Sequence, residues 1–144
     1  MEQKKTHQIV VVLVPVLCHQ LQITELYKRL IQLHPNLHVT FILPIISSLP
    51  KSSKIVLGAL SSLNIDTIVL SPMNLPQPTP PPAMLFPFSM SLSLPSIHYE
   101  LTSLTTTSSM KIVALIADYF AYEVLPFAKK PNILSSYIFI PTAA

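Results

Sequence analysis

Gln8-Ile9-Val10-Val11-Val12-Leu13-Val14, followed after a short turn by the segment 20–33 (QLQITELYKRLIQL), is the stretch that decides the fold. The first run is continuously apolar and rich in valine, which marks a strand covered on both faces. In the second the period changes from two to about 3.6, the spacing of an amphipathic helix. Leu21, Ile23, Leu26, Leu30 and Leu33 fall mostly on one face, expected to point inward, while Gln22, Glu25, Lys28, Arg29 and Gln32 face water. Glu25 stands one turn from Lys28 and Arg29 and can pair with either. Pro35 ends the helix.

The same alternation continues outward. His38 to Leu43 reads as a second strand, Ser52 to Leu63 as a short helix, and Asp66 to Leu70 as a third strand. A proline-rich loop over about residues 71–83 follows. Met84 to about Leu104 has helical spacing interrupted by Pro87 and Pro95, which predicts a broken helix. Lys111 to Ala117 reads as a fourth strand, Tyr119 to Lys129 as a helix, and Ser136 to Ile140 as a fifth strand. Strands alternating with helices imply a parallel sheet with right-handed crossovers. The expected fold is therefore α/β, one doubly wound, Rossmann-like domain over residues 1–144. A chain that stops just after a buried strand reads as a fragment or a truncated gene product.

Composition narrows the function. Half of the 144 residues are apolar and a tenth are charged, so a packed core is expected rather than disorder. The net charge of +3 is spread over scattered lysines, with no basic stripe interleaved with aromatics, which argues against nucleic acid. Cys18 is alone, so no internal disulfide can form and a reducing compartment is expected. Lys4-Lys5 ahead of the apolar run imitates a signal peptide, but Leu17-Cys18-His19 offers no small-residue cleavage site. No apolar stretch approaches the roughly 18–20 residues that span a bilayer. A cytoplasmic location follows as the expectation. Fifteen prolines stand against a single glycine, Gly58. There is thus no glycine-rich loop of the dinucleotide-binding or P-loop kind.

In an open doubly wound sheet, ligands bind beyond the C-terminal ends of the strands, where the strand order reverses. For the order 3-2-1-4-5 that point lies between the first and fourth strands. His19 follows the first and Asp118 follows the fourth, so this topology makes them neighbours. A carboxylate beside a histidine holds it in one tautomer and stabilises its cation after a proton is taken. The competing reading is that His19 and Asp118 each cap a helix. Other candidates are weaker. His34 and His38 are four apart but straddle Pro35, His7 and His98 have no partner at ligand spacing, and Cys18 reads as a small buried side chain.

Pro15-Val16-Leu17-Cys18-His19 with Glu25-Leu26-Tyr27-Lys28-Arg29-Leu30 resembles the opening motif of plant family-1 UDP-glycosyltransferases. There a Pro-Gly-x-Gly-His turn leads into a helix carrying Glu and Lys-Arg-Leu. His34-Pro35-Asn36 with Val39-Thr40-Phe41-Ile42, Leu94-Pro95-Ser96-Ile97, Ile116-Ala117-Asp118-Tyr119-Phe120-Ala121 and Tyr137-Ile138-Phe139-Ile140-Pro141-Thr142-Ala143 are similar as well. The resemblance runs in order over nearly the whole chain and is closest to the phenol-glucosylating (hydroquinone or monolignol) branch. It implies the N-terminal, acceptor-binding half of a GT-B fold, two facing Rossmann-like domains.

It further implies inverting transfer of glucose from UDP-glucose to a hydroxyl of a small aromatic acceptor. His19 matches the catalytic base and Asp118 the acid that orients it. Leu17, Tyr119 and Phe120 fall where the family lines its acceptor pocket, against the alternative of ordinary core packing. Thr142 matches a position that touches the donor sugar. No metal or cofactor is implied, UDP-sugar being a co-substrate held mainly by a C-terminal domain. The donor-binding box of that domain is absent from these residues, so the chain alone is expected to be inactive. Both turn glycines are replaced, by Val16 and Cys18, which predicts strain if those sites need positive φ. Pro126 predicts a kink after Asp118. The alternatives are a non-catalytic remnant that binds small apolar ligands or a full-length transferase, and an unrelated flavodoxin-like binding domain.

Overall fold

The computed structural model describes residues 7–138 apart from Ser47, Asn64, Met73 and Pro76. Five strands, β1 (His7–Val12), β2 (Leu37–Leu43), β3 (Ile65–Val69), β4 (Lys111–Asp118) and β5 (Leu134–Ile138), form one sheet. Its order is β3-β2-β1-β4-β5, with every pairing parallel. The order reverses beside β1, the common doubly wound arrangement expected from the sequence.

Val10, Val11 and Val12 are fully buried because side chains alternate across a sheet covered on both faces. Val10, Val12 and Val14 join Ile42, Leu115 and Ala117 on one face. That face is covered by helix α3 (Pro82–Thr107), through Met90, Ile97 and Leu101, and by a 3₁₀ segment (Tyr119–Ala128), through Ala121, Val124 and Ala128. Val11 and Leu13 join Val39, Phe41 and Leu43 on the other face, under helices α1 (Leu17–Leu33) and α2 (Lys51–Gly58). β1 ends two residues short of the predicted limit, although Leu13 N–H still donates to Ile42 at 2.9 Å.

Helix α1 turns a different face inward than its leucines suggest. The buried residues are His19, Gln20, Ile23, Thr24, Tyr27 and Ile31, a ladder at i, i+4 that meets the sheet. Ile23 is buried as expected and Leu30 packs at the margin of the core, but Leu21, Leu26 and Leu33 are exposed. Lys28 donates to Glu25 at 2.8 Å in the expected surface pair, which holds the Glu25 carboxyl below its ordinary range.

Three further differences have physical causes. The predicted broken helix is one continuous α3, with Pro87 and Pro95 inside it. Each proline already has a helix-compatible φ and removes one hydrogen bond. Burial of Met90, Ile97 and Leu101 on the sheet holds the helix across them. The segment after Asp118 is 3₁₀ rather than α, and its non-helical residue is Ala121 (φ −109°, ψ 17°), not the neighbourhood of Pro126. β5 begins at Leu134, earlier than predicted, and the predicted continuation to Ile140 runs outside the described residues. No helix among the described residues is long and apolar enough to cross a membrane.

Tyr27 is 4% exposed and meets Phe41 edge-on, with ring centroids 5.8 Å apart. Burial pushes its hydroxyl up from 10.0 to about 12. A raised tyrosine favours the folded state while it is neutral. Its contribution is therefore complete below pH 10 and is lost as pH rises through about 12. Absorbance titration should show one tyrosinate forming late, together with alkaline unfolding, and Tyr27→Phe should remove that late step.

Candidate active site

The turn joining β1 to α1 contains no glycine and needs none. Val16 is extended (φ −125°, ψ 115°) and Cys18 is already helical. Among the described residues the only non-glycine with positive φ is Asn132. The strain expected at Val16 and Cys18 is therefore not found. Cys18 itself is exposed, not buried as its type suggested.

His19 is the third residue of α1 and Asp118 the last of β4. The β1–β4 register aligns Val12 with Ala117, which brings the two chain exits side by side at the crevice where the strand order reverses. His19 Nδ1 lies 2.6 Å from Asp118 Oδ2, with the two side chains 4% and 0% exposed. An ionised carboxylate only accepts, so Nδ1 carries the proton and Nε2 presents its lone pair. Nε2 is left without a hydrogen-bond partner among the described residues. The other carboxylate oxygen, Oδ1, accepts from Phe120 N–H at 3.0 Å. For Asp118, capping and pairing are both present, one on each oxygen, whereas His19 lies inside α1 and caps no helix.

The surface beside the imidazole is aromatic. Phe120 lies 5.6 Å from the His19 ring and Tyr119 packs edge-on against Phe120 at 5.6 Å. Tyr122 approaches Tyr119 at 6.4 Å. Leu17, Tyr119, Phe120 and Tyr122 are 38%, 41%, 47% and 57% exposed, so none of them belongs to the core. Thr142 lies outside the described residues.

The remaining histidines lie elsewhere. His38, at the start of β2, contacts Asp66 of β3 through Nε2 at 2.8 Å, at the other end of the strands from His19. His98 packs on Phe127 at 4.6 Å, beside a cavity of about 420 Å³ near the end of α3.

The chain is 32% identical over 142 residues to the hydroquinone glucosyltransferase of Rauvolfia serpentina, covering 96% of this chain and 29% of that protein. A structure of Phytolacca americana UGT2 complexed with UDP-2fluoro-glucose and pterostilbene superposes with a TM-score of 0.83 at 26% identity, covering 99% of this chain and 32% of that one. A UDP-glucosyltransferase of Polygonum tinctorium capable of glucosylating indoxyl, in complex with 3,4-dichloroaniline, gives 0.78 at 28% identity, covering 97% and 31%. This is an N-terminal domain of the plant family-1 UDP-glycosyltransferase type. No protein-family model matches the chain. It spans about three tenths of the length of these relatives.

Two features of this glycosyltransferase domain escaped the sequence reading. Gln20, 1% exposed, donates from Nε2 to the Val14 carbonyl at 3.1 Å and accepts at Oε1 from Ser53 of α2 at 2.8 Å. Tyr122 extends the exposed aromatic face. A glutamine at the start of a helix reads as solvated. The only available signal was its position next to a histidine already assigned to the crevice.

Proposed function

We propose that the chain forms the acceptor-binding, base-bearing side of an inverting UDP-glucose-dependent glucosyltransferase whose acceptor is a small phenol. The observation that carries the reading is the buried 2.6 Å contact of His19 with Asp118, with Nε2 left unbonded beside an exposed aromatic face. Nε2 takes the proton of an acceptor hydroxyl lying on that face. The oxygen then forms a bond to the sugar's anomeric carbon as the bond to UDP breaks on the opposite side, and UDP leaves with the electron pair. Asp118 balances the imidazolium formed meanwhile. Leu17, Tyr119 and Phe120 hold the acceptor ring. Thr142 touches the donor sugar, a role that rests on the resemblance alone.

The aromatic acceptor class is supported by the relatives. One is named for hydroquinone, one is bound to pterostilbene, and one glucosylates indoxyl. Transfer requires donor and acceptor to be held together in a water-poor cleft. The chain by itself is therefore expected neither to turn over nor to bind UDP-glucose tightly.

The test joins this chain to the donor-binding part of the Rauvolfia serpentina relative and offers UDP-glucose with hydroquinone. The expected products are UDP and a glucoside of inverted anomeric configuration. A folded fusion that binds UDP-glucose yet transfers to no phenol would remove the reading. Calorimetry on the unfused chain separates the alternative: binding of a phenol without binding of UDP-glucose fits an acceptor domain, whereas tight UDP-glucose binding contradicts it.

A further inference from the structure

We infer that Gln20 is a positioning residue for His19, its buried amide fastening the glycine-free turn between β1 and α1 to helix α2. The inference rests on the reading of His19 given above and extends it to what fixes the imidazole. The turn over residues 13–16 has few anchors of its own. Leu13 N–H donates to Ile42, and Val16 N–H closes a tight turn on Val14 at 2.8 Å. At the start of α1 the N-cap residue Val16 makes no side-chain capping bond, so the usual device that fixes a helix entry is missing.

Gln20, the fourth residue of α1, takes its place. Successive residues on a helix diverge by about 100°, so His19 reaches Asp118 while Gln20 is turned away from it, toward Ser53 of α2. Its Nε2 donates to Val14 O and its Oε1 accepts from Ser53 Oγ, with both residues at most 2% exposed. A cavity of about 250 Å³, lined by Pro15, Gln20, Ile45, Pro50 and Ser53 among others, borders this bridge. Packing therefore leaves the turn room to shift on that side. The amide closes the gap and holds the first turn of α1, and with it the imidazole, at hydrogen-bonding distance from Asp118.

The experiment reads the imidazole, not catalysis. In the 144-residue chain labelled at histidine, NMR follows the Nδ1–H of His19, whose bond to Asp118 slows its exchange with solvent. Gln20→Met removes both amide bonds at nearly constant volume, and His19 exchange is expected to quicken at least about tenfold, what the loss of even one ordinary hydrogen bond allows. Thr24→Val is the control, since Thr24 is equally buried on α1 but bonds only to Leu21 of its own helix. It should leave His19 unchanged, and the Nε2 proton of His38 should be unchanged in both variants. Folded Gln20→Met with His19 exchange as in the parent, or an equal change in Thr24→Val, overturns the assignment. Should Gln20→Met not fold, Ser53→Ala releases one end of the bridge, with severalfold faster exchange expected and no change overturning it. A failure of transfer in the fusion would leave these exchange rates as they are, so the two ideas fail separately.

Discussion

Replacing His19 by alanine in a fusion that carries a donor-binding domain is expected to lower kcat/KM for hydroquinone by about 10²–10⁴-fold, the usual worth of a positioned general base. The size follows from the geometry. Nε2 is the unbonded nitrogen of an imidazole whose other nitrogen is held by a fully buried carboxylate, and among the described residues no second titrating side chain bonds to it. The same substitution leaves the aromatic face of Tyr119, Phe120 and Tyr122 in place, so KM for the acceptor should change far less than kcat. The loss should also depend on the acceptor. A nitrophenol, already partly ionised at neutral pH, needs little help in shedding its proton and should lose much less than hydroquinone does. Equal losses for both phenols would mean that His19 holds the site together instead of moving a proton. Rates for hydroquinone essentially unchanged in the variant would remove the base assignment.

The sequence showed the sheet more readily than the surfaces packed on it. Runs such as Val10-Val11-Val12 are buried on both faces, so every residue in them is apolar and the strands can be read directly, while their order was expected from the usual doubly wound arrangement. His19 and Asp118 were legible for a related reason: each stands at the exit of such a run, and the topology makes those exits neighbours. The inward face of α1 was not legible, because a pattern reading counts leucines and treats polar side chains as solvated. Here Gln20 and Thr24 are buried with their hydrogen bonds satisfied, and Leu21, Leu26 and Leu33 are left outside. The face carrying Ile23, Tyr27 and Ile31, not the leucine stripe, is the one packed on the sheet. Pro87 and Pro95 misled in the same way, as local penalties overcome by the burial of Met90, Ile97 and Leu101.

Asp118→Asn separates the electrical role of this side chain from its structural one. In the native arrangement Oδ1 accepts from Phe120 N–H and Oδ2 accepts from His19 Nδ1–H. An asparagine can keep only one acceptor. Retaining the cap on Phe120 turns the amide NH2 toward Nδ1, which must then accept, so the ring proton moves to Nε2 and the lone pair that takes the acceptor's proton is gone. Activity of the fusion is therefore expected to fall by about 10²–10⁴-fold, as for His19→Ala, while denaturant unfolding changes by no more than about 1 kcal/mol. Asp118→Ala should be as inactive and also less stable, by a further ~0.5–2 kcal/mol for the lost cap. It leaves the His19 nitrogen without its buried partner as well. The tautomer can be read directly, since nitrogen shifts of the His19 ring distinguish a protonated Nδ1 from a protonated Nε2. An asparagine variant whose His19 keeps its proton on Nδ1 and whose activity stays within a few-fold of the parent would show that the carboxylate serves the fold alone.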